Sequence, residues 1–235
     1  MFANNLPALA AAFGLALIWL RLNDFFAHRG WISSFLSRKI IHIGTGPIFV
    51  LSWLLFNDAP AARFLAALIP LAITAQFILV GFGVIRDPAA VKAMSRTGDR
   101  REILRGPLFY GIAFVALTLI YWKNSPIGIV ALMLLCGGDG LAEIAGRRLK
   151  TGRLPWSPGK SWAGLGAMFL GGWLLSILVL GIYVSAGVFS GGLVQYLPAV
   201  TLIAAAATLT ESLPLEDIDN LSIPAAAVIL GHVLF

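Results

Sequence analysis

The sequence has very little charge for its length. Only 12% of its 235 residues are Asp, Glu, Lys or Arg, while 59% are hydrophobic. A soluble domain carries about 25% charged residues, so this chain cannot cover a water-facing surface of its size, and lipid must be its main solvent. Cysteine is nearly absent. The single Cys136 excludes an intramolecular disulfide and reads as a packing residue among apolar neighbours. No basic residue precedes the first apolar stretch, so residues 1–20 do not read as a cleavable signal, and no Arg/Ser-rich transit peptide is evident. Internal repeats and low-complexity tracts are missing. So is the alternation of polar and apolar residues that marks a membrane β-barrel.

What is present is a series of apolar stretches, at about 6–20, 40–56, 64–85, 107–122, 126–146, 162–183, 193–210 and 221–235. A spanning helix needs about 20 mostly apolar residues, and backbone groups in lipid must pair within their own segment. The expected fold is therefore all-α, a polytopic membrane protein of seven or eight transmembrane helices. Residues 1–235 form a single integral membrane domain, with the last stretch short for a span.

The net charge is +6, with 17 Lys and Arg against 11 Asp and Glu. With the N-terminus outside, every Lys and Arg except Arg63 and Lys123 falls in the inside segments 21–39, 86–106 and 147–161. This bias orients the chain and draws it to anionic lipid. It accounts for the basic residues without a nucleic-acid partner.

Four clusters lie on that basic face. Arg38, Lys39 and His42 share one helix face at the mouth of the second stretch. They suit phosphate binding, or serve as a basic flank with a satisfied histidine. Asp139 and Glu143 are one turn apart in the Gly138-Asp139-Gly140 to Gly146-Arg147 run. A carboxylate at membrane depth costs several kcal/mol unless paired, and two on one face can hold Mg²⁺. Glu143 can instead bridge Arg147. The Gly159-Lys160-Ser161 run before Gly164 is no P-loop, since six residues rather than four separate Gly152 from Gly159. At the start of a span it can bind phosphate or simply cap the helix. Last, Glu211, Glu216, Asp217, Asp219 and Asn220 form the one acidic segment of this face. They offer metal ligands, a base for a hydroxyl, or a solvated loop.

These motifs together resemble the polyprenol kinase family, which includes phytol kinase, dolichol kinase and the CTP-dependent diacylglycerol kinase of fungi. The likeness is nearest on the phytol kinase side. It is carried by Arg38-Lys39 through Pro47, Gly138 through Arg147, Lys160 through Gly164, and Glu211 through Pro214 with Asp219-Asn220-Leu221. It covers residues 36 to the end; the first stretch and the 86–100 segment carry little of it.

The resemblance implies a phosphotransferase that moves the γ-phosphate of CTP, with Mg²⁺, to an isoprenoid alcohol such as phytol or geranylgeraniol. Phytyl phosphate would form at the cytoplasmic face for chlorophyll-phytol salvage and tocopherol synthesis. It implies nucleotide binding by Arg38, Lys39, Gly146, Lys160, Ser161 and Gly164. It implies metal binding by Asp139, Glu143 and Glu211, and catalytic work by Asp139, Glu143, Asp219 and His42. Without a transit peptide, the expected location is a bacterial plasma membrane, or a thylakoid in a photosynthetic cell. Two other activities fit the same residues: a CTP-using cytidylyltransferase that makes a CDP-lipid, and a transporter. The second fits less well, because transporters place polar residues near mid-membrane and carry internal repeats.

Overall fold

The computed structural model describes residues 4–215 and 218–235; Glu216 and Asp217 lie outside the described residues. The all-α expectation holds. Each of the eight apolar stretches is helical: α1 (Asn5–His28), α2 (Ser34–Ser52), α3 (Ala62–Phe82), then after the short α4 (Pro88–Met94), α5 (Gly106–Ile120), α6 (Pro126–Met133) running through a π-helical turn (Leu134–Asp139) into α7 (Gly140–Arg148), α8 (Trp162–Ser185), α9 (Leu197–Glu211) and α10 (Asp219–Leu234). Among the described residues the only sheet is a hairpin, β1 (Arg153–Leu154) against β2 (Ser157–Ser161).

Six helical segments are long and apolar enough to cross a membrane: Asn5–His28, Ala62–Phe82, Arg100–Ile120, Pro126–Arg148, Trp162–Ser185 and Leu193–Glu211. The expected seven or eight are not reached on that measure. The shortfall has two causes. Helix α2 begins at Ser34 rather than near residue 40, so it takes Arg38 and Lys39 into its own turns and is no longer apolar enough. Helix α10 has only 16 residues.

The α6–π–α7 rod is the axis of the fold. Every residue from Ile127 to Cys136 is buried or nearly so, and 78% of its spanning window is covered, against 17% for α1. Around the rod pack α2, α8 and α10, with α3 and α1 farther out. The outer helices turn Leu, Ile and Phe outward, as α1 does with Leu15, Ile18 and Leu22. Such a surface suits lipid and would be costly in water.

At the end away from the basic clusters, two cations cap open carbonyls. Lys123 is buried and donates to the Phe56 carbonyl at 3.0 Å and to Asp58 at 2.8 Å. Arg63 donates to the Leu119 carbonyl at 3.3 Å. Lys123→Met removes a buried donor and leaves the Phe56 carbonyl unpaired. The expected loss is about 1–3 kcal/mol of stability, read as a lower midpoint of thermal unfolding in detergent.

Candidate functional site

The site is built on the π-helical turn. Such a turn is rare within α-helices and is frequent at functional sites. Here it ends on Asp139. Its flanks are closed by glycines that permit contact no other residue allows. A Cβ on Gly138 would stand 2.5 Å from the Met168 sulfur and 3.0 Å from the Met168 carbonyl of α8. A Cβ on Gly140 would stand 2.3 Å from Ile43 and 3.2 Å from the His42 ring of α2. Helices α2 and α8 therefore clamp the turn, and α2 delivers Lys39 and His42 to Asp139.

His42 Nε2 lies 3.2 Å from Asp139 Oδ2 and 3.2 Å from the Leu135 carbonyl. A carbonyl only accepts, so Nε2 carries a proton, and in the neutral ring Nδ1 is the acceptor. The Tyr110 hydroxyl donates to the His42 carbonyl at 3.0 Å, and the two rings lie 4.5 Å apart. The side chain of Lys39 is only 8% exposed, and a buried ammonium needs nearby anions. It finds Glu143, with which it bonds directly, and Asp139 at 3.9 Å. Glu143 also meets Arg147 at 2.7 Å and Arg38 at 3.7 Å.

The second half of the site comes from the hairpin and the α9–α10 corner. Glu211, the last residue of α9, is buried and pairs with Lys160 at 2.9 Å. Lys160 also donates to the Glu211 carbonyl, and Trp156 donates to Ser212 at 3.3 Å. These contacts fasten the hairpin to the corner. Asp219 opens α10. Carboxylate oxygens of Asp139, Glu211 and Asp219 all lie within 4.8 Å of one another. Among the described residues, the Oε2 of Glu211 is buried without a hydrogen-bond partner. Three converging carboxylates, one with an unmet acceptor, fit a hard divalent cation of the Mg²⁺ type, which takes oxygen ligands.

The structure thus gathers Arg38, Lys39, His42, Asp139, Glu143, Lys160, Glu211 and Asp219 into one region. It divides them differently from the sequence grouping. Glu143, expected beside the metal, is held by three cations, and Asp219 joins Asp139 and Glu211 instead. Gly146, Ser161 and Gly164 form a helix contact. A Cβ on Gly164 would meet the Ala142 carbonyl at 3.1 Å, and one on Gly146 would meet Ser161 Oγ at 3.1 Å. Ser161 is buried and caps α8 by accepting from the Gly164 N–H at 3.2 Å.

Between α1, α2, α3 and α5 lies a cavity of about 550 Å³. Its charged end is lined by Arg38, Lys39, His42, Asp139, Glu143 and Asp219. Arg96, Glu102 and Arg105 of the 95–105 segment also line it, and the wall toward Phe49 and Phe114 is mainly apolar. Sequence reasoning did not single out Tyr110 or the α1 wall (Ala12, Ala16, Trp19). The phenol hydroxyl in the apolar 106–120 run was a usable signal for the first; apolar residues of a spanning helix give none for the second.

Curated relatives share this chain's sequence over most of its length. It is 40% identical to a probable phytol kinase, chloroplastic, of Triticum aestivum over 218 residues, 92% of this chain and 73% of that one. It is 35% identical to phytol kinase 1, chloroplastic, of Arabidopsis thaliana over 234 residues, 99% of this chain and 77% of that one. It is 40% identical to the Arabidopsis thaliana farnesol kinase, chloroplastic, over 211 residues, 88% of this chain and 68% of that one. No family model and no solved structure matches. The names correct one expectation. The relatives are chloroplastic plant proteins, so a bacterial plasma membrane has no support. That expectation rested on the first residues of the chain, which say nothing about the membrane-embedded region that carries the likeness.

The glycine contact makes its own prediction. Gly164→Leu drives a side chain into the α7 backbone and is expected to lower the unfolding midpoint. Where folded protein is recovered, the KM for nucleotide stays within about twofold, because the contact is packing. Both are read on purified protein in detergent.

Proposed function

The chain belongs to the polyprenol kinase family, alongside phytol and farnesol kinases, and we propose that it transfers the γ-phosphate of CTP to phytol or geranylgeraniol on its basic face. The observation that carries this reading is the cavity itself: carboxylates and cations at one end, apolar walls below. An alcohol whose head is polar and whose chain is not has one way to lie in such a space.

Each residue then has work to do. Asp139, Glu211 and Asp219 would hold Mg²⁺, which would supply charge to offset that of the transferring phosphates. Arg38 and Lys39, at the cavity mouth, and Lys160, against Glu211, present positive charge to those phosphates. Glu143 keeps Arg38, Lys39 and Arg147 aimed at the mouth rather than letting them repel one another. His42 stands where the charged end gives way to apolar wall. Its Nε2 proton is engaged by Asp139 and the Leu135 carbonyl, which leaves Nδ1 to take the proton of the alcohol as its oxygen attacks. Residues 1–235 act as one membrane domain, because the site draws on helices from both halves of the chain. The product serves phytol salvage and tocopherol synthesis.

The test is a donor-and-acceptor assay with γ-labelled CTP or ATP, Mg²⁺, and phytol, geranylgeraniol or diacylglycerol. The expected result is label on the isoprenoid alcohol, CDP as co-product, and preference for CTP. His42→Gln is expected to lower kcat by about 10²- to 10⁴-fold. A CDP-lipid with release of pyrophosphate would make the protein a cytidylyltransferase instead. No turnover of nucleotide by folded protein would remove the kinase reading.

A further inference from the structure

The apolar depth of the cavity ends on a pair of aromatic rings. We propose that this depth is a slot for the chain of an acyclic isoprenoid alcohol, and that Phe49 and Phe114 form the floor that limits its length. The inference rests on the kinase reading for the identity of the head group.

Phe49 lies eleven residues along α2 from Arg38. At 1.5 Å of rise per residue the floor is roughly 16 Å below the charged mouth and roughly 10 Å below His42, where the hydroxyl sits. Between these levels the walls are mainly hydrocarbon, with Ile48 from α2 and Ile69 and Ile73 from α3, and with the Trp19 ring of α1 packed at Gly44, its indole N–H buried without a partner among the described residues. The one hydroxyl on the α2 wall, that of Thr45, is spent on the Ile41 carbonyl of its own helix at 2.6 Å. Its proton is therefore not available to a ligand. One side of the slot is a ladder of rings. His42 and Tyr110 are 4.5 Å apart, and Tyr110 and Phe114 are 4.6 Å apart. Flat faces of this kind pack well against a methyl-branched chain.

The floor is firm. The rings of Phe49 and Phe114 lie 5.8 Å apart, and both residues are buried. Behind Phe49 stands Trp53 at 5.7 Å, itself backed by Trp122 at 5.0 Å. Trp53 is fully buried and does not line the cavity. A chain that reaches Phe49 and Phe114 therefore meets a closed aromatic stack. An alcohol with its hydroxyl beside His42 and more chain than this depth takes must fold its chain within the cavity or leave its end outside.

Two measurements test this. The first is the ratio of kcat/KM for a longer prenol (five or more isoprene units) to that for geranylgeraniol. It is compared between the unaltered protein, Phe114→Ala, and the milder Phe114→Leu in case the alanine variant does not fold. The second needs no turnover: a prenyl alcohol with a photoreactive group at its far end is crosslinked in the absence of nucleotide, and the labelled peptides are mapped. The expected results are a rise in the ratio of roughly tenfold or more for the alanine variant and label on the peptides carrying Phe49 and Phe114. An active enzyme with an unchanged ratio, or with label elsewhere, overturns the slot and leaves the kinase reading standing. Label at Phe49 and Phe114 with no prenol phosphorylated keeps the slot and overturns the kinase reading. No label there and no turnover overturns both.

Discussion

Everything at this site follows from the cost of keeping carboxylates inside a membrane domain. Asp139 and Glu143 lie in the most covered rod of the fold, and Glu211 is buried at the end of α9. A buried charge that loses its partner costs about 3–5 kcal/mol. The structure answers with counter-charge from separate elements: Arg38 and Lys39 from α2, Arg147 from α7, Lys160 from the hairpin. The balance is uneven in a way that has consequences. Glu143 has three cationic neighbours, whereas Glu211 has Lys160 and a second oxygen with no partner among the described residues. The same carboxylate converges with Asp139 and Asp219, the place where a divalent cation would complete the arrangement.

That arrangement requires parts of the chain far apart in sequence to converge closely. Glycines in and after the π-helical turn let α2 and α8 touch the rod, and this close approach turns a row of helices into a site. The hairpin is a second device of the same kind. Tied by Lys160 to Glu211 and by Trp156 to Ser212, it fixes the α9–α10 corner against the end of α8. Below these polar contacts α2, together with α1, α3 and α5, lines the cavity mainly with hydrocarbon. On the proposed reading, one space serves a phosphate chemistry at its mouth and an apolar chain in its depth.

Much of this was legible in the sequence. Apolar stretches mark helices in lipid whatever their partners, so all eight appeared. The basic bias and the four clusters pointed to one working face. The misplacements have specific causes. Arg38 and Lys39 read as a flank because charges usually end an apolar run, yet here the helix begins before them and carries them inward. Glu143 was grouped with Asp139 because they share a helix face. Asp219 reaches Asp139 only through the α9–α10 turn, which no local spacing reveals. Gly146 and Gly164 entered the expected nucleotide site through the family resemblance, and no local spacing showed that they face each other across a helix contact. The alanines of α1 that wall the cavity have no sequence signature at all.

The central claim is that Asp139, Glu211 and Asp219, and not Glu143, hold the metal. It is tested most directly by titrating purified protein with Mn²⁺ in the presence of a non-hydrolysable CTP analogue and counting bound ion by electron paramagnetic resonance. The account predicts one bound ion whose affinity falls about ten- to a hundredfold in Glu211→Gln and is unchanged in Glu143→Gln. The reverse pattern, or no ion bound by folded protein, would contradict it.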